Sequence, residues 1–294
     1  MIGERMGLIE LFKKSFNVLR DNPKIILPVL LLALLFGGVS VMWATHILRG
    51  LPTQPSLLTS GLYQSFGSLF VVFLFLFVVM LFVNPIIKGF YISSLDQGYK
   101  RRKVSLKSAL DATTRNYLRL LLTEVLLDLI WFVAIAIIGL VFFAPVVFHG
   151  LGLATGLLLL LGILVFVVVY ILLSIYLYQA YVVVMYEGSK AVDAVKKSIE
   201  IGRRHFFDIF AVLVLTAIFL MVFVAFDVAI VGGVEFLVAL GSRAAAVVVG
   251  SVLSIILASF FDAWIYMIPA AFYKGYIDRK KGGRKAAKRM RRVS

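Results

Sequence analysis

Three acidic side chains lie inside apolar stretches of the chain, where a charge is costly and is therefore a candidate for function. Glu124 and Asp128 are four residues apart, so they share one face of a helix. Asp262 lies in another apolar stretch near the C-terminal end. Carboxylates at such positions suit a proton or cation site. The alternative is a structural role, in which the first two bond to Arg119, Thr123 or a neighbouring helix, or are solvated near the membrane surface.

A second set of polar side chains lies at comparable places along the chain. His46 and His149 each follow a predicted span, and Asp227 closes another. Three such residues around one bundle could bind zinc, for which imidazole and carboxylate are suitable ligands. None of the three has a close-spaced partner in the sequence, and a single histidine near a membrane surface is usually a solvated side chain. We therefore expect no metal site and no cofactor.

Basic side chains form a third candidate site, on two short polar segments. In segment 193–204 the polar residues have spacings of three, one, three, three and one, which places them on one stripe of an α-helix. The same stripe occurs 183 residues earlier, in segment 10–21. We expect both stripes to contact anionic lipid headgroups and call their cations the basic collar. The collar consists of Lys13, Lys14, Arg20, Lys196, Lys197, Arg203 and Arg204.

The elements that position these side chains are predicted to be membrane-spanning helices. The 294 residues are 62% hydrophobic and 15% charged, and the mean hydropathy of +1.03 lies outside the range of soluble domains. A helix needs about 20 apolar residues to cross a membrane. A turn at Pro145 and 149–156 divides the longest apolar tract, so we predict an all-α membrane protein with six transmembrane helices. The apolar stretches are 25–43, 66–91, 120–186, 206–231 and 244–273.

The distribution of basic residues predicts how the chain is oriented. Of the 30 Lys and Arg residues, only Arg49 and Arg243 fall in the three short loops that follow the odd-numbered spans. Basic residues near the ends of spans favour the cytoplasm. We therefore expect a multi-pass protein of the cytoplasmic membrane with both termini in the cytoplasm, where 281–294 forms a basic tail.

The recurring stripe belongs to a longer internal repeat. Pro85 and Pro269 lie 184 residues apart, each late in a span and followed by Lys, Gly, Tyr and a basic cluster. Segment 105–127 gives a looser copy of the stripe. We therefore predict that a single membrane domain, 1–294, contains three parallel repeats, each an amphipathic interfacial helix and a transmembrane hairpin. The approximate bounds of the three units are 1–100, 101–187 and 188–280.

Motifs of the common enzyme classes are missing from the sequence. It has no cysteine, and we find no Walker loop, dinucleotide-binding fingerprint, His-Glu-x-x-His or Gly-x-Ser-x-Gly. No segment between the spans is long enough for a folded soluble domain. We therefore expect that the protein is not an enzyme. The basic tail favours anionic lipid over nucleic acid, because no platform for base stacking accompanies its charge.

Two segments resemble a known family. The sequences AVKKSIEIGRRHFFDIF (194–210) and LFKKSFNVLRDNPKIILPVLLLALL (11–35) resemble the membrane domains of glycerophosphodiester phosphodiesterases and related archaeal integral membrane proteins of unknown function. In that group an Ala-x-x-x-Ser pattern with basic residues precedes a span, and Ala194, Ser198 and Arg203 match it here. The resemblance implies the architecture. The phosphodiesterase barrel, with its metal-binding carboxylates and histidine pair, has no counterpart between the spans, so the activity is not implied.

Together these features predict a non-catalytic membrane protein that binds anionic lipid, or scaffolds a membrane assembly, through its basic collar. Lipid headgroups are the expected partners, and a membrane protein or a second copy of the chain is a further candidate. The alternative is a small-solute or proton-coupled transporter that uses Glu124, Asp128 and Asp262 in a central cavity.

Overall fold

A computed structural model describes residues 7–35, 58–101, 103–150, 152–239 and 243–278. Within these ranges all regular structure is helical, which confirms the all-α prediction. The helices are α1 (Leu8–Asp21), α2 (Pro23–Leu35), α3 (Leu58–Arg101), α4 (Leu106–Ile138), α5 (Ala144–His149), α6 (Leu153–Leu177), α7 (Ala180–Glu187), α8 (Ala191–Arg204), α9 (Phe206–Ala239) and α10 (Arg243–Phe272). A π-helical turn, Gly139–Phe143, joins α4 to α5, and another, Tyr273–Asp278, extends α10.

Among the described residues, five helical stretches are long and apolar enough to cross a membrane, so the chain is a multi-pass membrane protein. They correspond to the second to sixth predicted spans. The first predicted span, 25–43, is described only as far as Leu35, at the end of the short apolar helix α2. The rest of it lies outside the described residues. The five stretches are Leu74–Lys100, Leu106–Phe148, Leu153–Glu187, Phe206–Ile230 and Val252–Gly275.

The long apolar tract is divided where the sequence predicts a turn. Helix α5 ends at His149, and Gly150 adopts a φ of 71°, which costs little only for glycine. Helix α6 then begins at Leu153, where the Thr155 hydroxyl accepts a hydrogen bond from the Gly152 amide at 2.7 Å. The predicted turn between the third and fourth spans is therefore confirmed.

The helical stretch that follows, Leu153–Glu187, is interrupted at a point that its own sequence does not predict. The sequence from Gly152 to Tyr186 contains no strong helix breaker, yet α6 and α7 are separate helices that meet at Tyr178–Gln179. The buried hydroxyl of Ser198 lies beside the break. It donates to the Tyr176 carbonyl at 2.7 Å and accepts from the Gln179 amide at 3.0 Å. A side chain from α8 thus satisfies backbone groups that the interrupted helix leaves open.

The hydrophobic core is concentrated at one end of the bundle, which we call the packed end: the C-terminal part of α3, α7, and the C-terminal part of α10 with Tyr273. Helix α1 packs on α10, and α8 packs on α6 and α7. Both helices bury one face in this core. Further along α4, α6 and α9, large apolar side chains are exposed, as a lipid-facing surface requires.

The middle copy of the stripe is not a separate surface helix. Segment 105–127, which we expected to precede the third span, forms one continuous helix with that span in α4. Ser105 caps this helix by accepting a hydrogen bond from the Ser108 amide. No glycine or proline interrupts the sequence between this cap and the apolar part of the span, so the helix continues.

Close packing of α8 on α6 requires glycine at position 202. A Cβ atom placed there would lie 2.9 Å from the Tyr176 Cα and 3.1 Å from the Ile175 carbonyl oxygen. Because both are backbone atoms, we expect Gly202→Ala to separate the helices and to destabilise the protein by about 1–3 kcal/mol. The free energy of unfolding in a denaturing detergent titration measures this loss. Gly233→Ala in α9, where nothing lies within 4 Å, is the matched control and should leave stability unchanged or slightly raised.

Candidate functional site

The three carboxylates predicted inside the spans differ strongly in burial. Glu124 is only 4% exposed, whereas Asp128, one turn further along α4, is half-buried and Asp262 is exposed. A buried carboxylate needs a cation or several hydrogen bonds to offset the loss of water. Glu124 is therefore the residue of this set around which a site could be built.

Glu124 is held by a lysine and two further polar side chains. Its carboxylate accepts hydrogen bonds from the Lys88 ammonium at 3.0 and 2.9 Å and from the Asn84 amide at 3.0 Å. The Tyr181 hydroxyl is the third donor group and also contacts this carboxylate. The Lys88 ammonium also lies 4.2 Å from the centre of the Tyr181 ring. This cluster, Lys88–Glu124–Asn84–Tyr181, joins α3, α4 and α7.

Sequence reasoning missed Lys88 because it was counted with the cations that follow the second span. The partners expected for Glu124 were Arg119 and Thr123, but Arg119 donates to the Gly188 carbonyl at 2.8 Å and Thr123 donates to the Arg119 carbonyl. A signal was present: Asn84 and Lys88 are four residues apart and so share one face of α3.

A cavity of about 180 Å³ lies next to the cluster, between α3, α6–α7, α9 and α10. We call it the Lys88 cavity. Five apolar residues complete a wall that also carries Lys88, Tyr178, Tyr181, Thr216 and Tyr266. The hydroxyls of Tyr178 and Tyr266 form no hydrogen bond with any residue that the structure describes. The cavity is thus mainly apolar, with a few polar groups that could orient a ligand.

A second polar cluster lies at the packed end, where it connects α3, α7 and α10. Lys274, which follows α10, pairs with Asp96 of α3. The Tyr273 hydroxyl donates to Glu187 of α7, and Lys197 of α8 pairs with the same carboxylate. These contacts join the ends of α3, α7 and α10. These charged residues, which the sequence places near a membrane surface, therefore have a structural role at the packed end.

Three collar residues are exposed cations with no ion-pair partner among the described residues: Lys13, Lys196 and Arg203. The remaining four pair with acids. Lys14 pairs with Glu10 at 2.9 Å, and Arg20 contacts Asp21 at 3.2 Å. Lys197 pairs with Glu187 and Arg204 with Glu200.

Of the three side chains considered for an outer metal site, the structure describes only that of Asp227. His46 lies outside the described residues, as does the tail 281–294, and the side chain of His149 is not described either. Asp227 is half-buried in α9. No group of three or more histidine, aspartate or glutamate side chains within the described ranges is close enough to hold a metal ion.

Comparison with known proteins places the chain in a family but not in a functional class. A family model described as a domain of unknown function (DUF7847) matches residues 6–275. No curated protein and no solved structure matches the chain. The resemblance to the membrane domains of glycerophosphodiester phosphodiesterases therefore stays a prediction. Because the family model covers most of its length, the chain belongs to the DUF7847 family.

Proposed function

We propose that this protein is a non-catalytic membrane protein whose basic collar binds anionic lipid at the cytoplasmic face. The observation that carries the proposal is the exposure of Lys13, Lys196 and Arg203 on two helices whose opposite faces are buried in the core. Amphipathic helices with cations on the polar face bind the membrane interface. Each basic side chain close to an anionic surface contributes about 1 kcal/mol. Together these side chains favour anionic over zwitterionic headgroups.

The proposal includes the cytoplasmic membrane as location, with both termini in the cytoplasm. The strong bias of basic residues toward the termini and alternate loops supports this orientation. The packing of α1 and α8 supports it as well, because their apolar side chains belong to one core cluster. The two collar helices thus lie at the same end of the bundle, where one leaflet surface would contact both.

We include a three-unit architecture in the proposal, with α1–α3, α4–α7 and α8–α10 as the units. In the middle unit the surface segment is continuous with its span, in α4. Three helix contacts support it: α4 packs on α3, α8 packs on α6 and α7, and α1 packs on α10. In each case the first helix of one unit contacts the last helices of the unit before it, and α1 closes the ring. Three parallel repeats around an axis along the membrane normal would make these contacts.

Lipid retention tests the proposal. Protein purified from vesicles of equal parts phosphatidylglycerol and phosphatidylcholine is expected to carry mainly phosphatidylglycerol in native mass spectrometry. The variant Lys13→Gln, Lys196→Gln, Arg203→Gln should lose this preference, since each removed charge changes binding about fivefold. The charge-conserving variant Lys13→Arg, Lys196→Arg, Arg203→Lys is the control and should keep it. If the Gln variant retains as much phosphatidylglycerol as the unchanged protein does, the proposal is wrong.

A second candidate function is transport of a small solute or protons. Burial of Glu124 beside the Lys88 cavity favours it, because charged groups inside spans mark ion and proton pathways. In proteoliposomes, Glu124→Gln, Asp128→Asn and Asp262→Asn should each be compared with the unchanged protein for proton flux. If no flux occurs, or if all three variants leave it unchanged, the transport function is rejected.

A further inference from the structure

We propose that the Lys88 cavity binds a small organic monocarboxylate, whose carboxylate replaces that of Glu124 on the Lys88 ammonium while Glu124 takes up a proton. The site is separate from the collar, so the proposal holds whether or not the collar binds lipid. It rests on the polar groups that line the cavity, on the apolar remainder of its wall and on the charge balance of the Lys88–Glu124 pair.

The polar groups that line the cavity can all act as hydrogen-bond donors. They are the Lys88 ammonium and the hydroxyls of Tyr178, Tyr181, Tyr266 and Thr216. Tyr181 and Thr216 already donate, to Glu124 and to the Val212 carbonyl, so Lys88, Tyr178 and Tyr266 are the groups that a ligand would contact as donors. Of the residues that the structure describes, no carboxylate lines this cavity. A ligand that supplies acceptor oxygens would therefore satisfy the Tyr178 and Tyr266 hydroxyls. A carboxylate does this and also carries the charge that an ammonium attracts.

The rest of the wall selects an apolar body for the ligand. Ile92, Val182, Leu213, Ile265 and Pro269 complete the cavity. Its volume of about 180 Å³ equals that of about six liquid water molecules. A compact aromatic or short-chain acid fits this space, whereas a whole phospholipid does not. Benzoate is a suitable probe, because benzamide has nearly the same shape without the charge.

Charge balance requires a proton to accompany the ligand. Lys88 and Glu124 form a neutral pair, and a second carboxylate in the same buried place would leave one negative charge without a cation. If water supplies a proton to Glu124, the ligand carboxylate pairs with Lys88 and the neutral acid keeps its contacts with Asn84 and Tyr181. No covalent bond forms, and the site again has no net charge.

The ionisable groups around Glu124 are consistent with such an exchange. Lys88 faces it from α3, Tyr181 from α7 and Tyr266 from α10, while Asp128 lies one turn away on α4 itself. Lys88 is the one cation among these neighbours, and Asp128 disfavours a second negative charge nearby. Benzoate binding should therefore weaken about tenfold for each unit that pH rises where Glu124 is ionised.

Equilibrium dialysis of the purified full-length protein with labelled benzoate tests the proposal. We expect saturable binding at one site per chain. Calorimetry in two buffers with different ionisation heats should show uptake of about one proton per benzoate. Tyr178→Phe combined with Tyr266→Phe removes two hydroxyls without changing the shape of the wall and should weaken binding about tenfold or more. Tyr170→Phe, at a tyrosine that is 53% exposed, is the control and should bind benzoate normally.

A further variant separates proton uptake from binding. Glu124→Gln should bind benzoate without taking up a proton and with little dependence on pH. If this variant does not fold, the pH dependence of the unchanged protein decides the same question. The proposal is overturned if benzoate does not bind, if benzamide binds as tightly, if the double tyrosine variant binds normally, or if binding is independent of pH.

Discussion

Replacement of Lys88 by methionine is expected to destabilise the protein by about 3–5 kcal/mol, because it leaves the buried carboxylate of Glu124 without its cation. Asn84 and Tyr181 would still donate hydrogen bonds to that carboxylate, but neither carries a charge. Protonation of Glu124 sets the upper limit of the loss. The free energy of unfolding in a titration with a denaturing detergent measures it.

The double variant Lys88→Met, Glu124→Leu shows whether the loss comes from an unpaired charge. Removal of both partners of a buried ion pair is often nearly neutral, so most of the stability should return. The control is Lys100→Met, because Lys100 pairs with Asp96 at 2.7 Å while its side chain is 66% exposed. Exposed pairs contribute about 1 kcal/mol or less. Equal losses at Lys88 and Lys100 would contradict the buried-pair account.

A single cysteine in the collar is expected to react only from the cytoplasmic side. The chain has no cysteine of its own, so the variants Lys196→Cys and Ser242→Cys each contain a single thiol, which is the only one that a maleimide can label. In intact cells an impermeant maleimide should label Ser242→Cys and leave Lys196→Cys unlabelled. Permeabilised cells should label both. The contrast is close to all-or-none, because a charged reagent does not cross a membrane on the time scale of labelling.

Two further positions extend the labelling test to the termini. Ser294→Cys should behave like Lys196→Cys if the basic tail is cytoplasmic. Thr53→Cys, in the loop after the first predicted span, should behave like Ser242→Cys. Labelling of Ser294→Cys in intact cells, or protection of Thr53→Cys there, would contradict the predicted orientation.

The spans were predictable because their signals are local. A helix that crosses a membrane needs only a sufficient apolar length, and the apolar run of α9 begins at Phe206, where the sequence predicts it. The division of the long tract was also local, because Gly150 adopts a backbone conformation that favours glycine. The amphipathic stripe of α8 depends on residue spacing alone, so it could also be read from the sequence.

The polar cluster was only partly predictable because it depends on contacts between distant parts of the chain. The cost of a buried charge identified Glu124, but its cation lies 36 residues away, on α3. Lys88 looked like one of many basic residues near the inner surface. In the structure the Lys88 ammonium donates hydrogen bonds to the Glu124 carboxylate and the Tyr181 hydroxyl, which places it in the interior of the bundle.

The break at Tyr178–Gln179 shows a similar limit. Nothing in the sequence of α6 and α7 interrupts a helix, and the groups that stabilise the break come from Ser198 on α8. Local propensity is a weak guide where tertiary contacts compete with it. Segment 105–127, the looser copy of the stripe, shows the opposite error. Its residue spacing predicts a separate surface helix, but the structure has one continuous helix there, α4.

The relative affinity for phosphatidylglycerol over phosphatidylcholine tests the central claim most directly. Spin-labelled forms of both lipids, measured by electron paramagnetic resonance around the reconstituted protein, report how much of each lipid the protein immobilises. The account predicts a clear preference for phosphatidylglycerol, which weakens as salt rises because exposed charges are screened. The preference should disappear in the variant Lys13→Gln, Lys196→Gln, Arg203→Gln. Equal immobilisation of the two lipids by the unchanged protein at low salt would contradict the account.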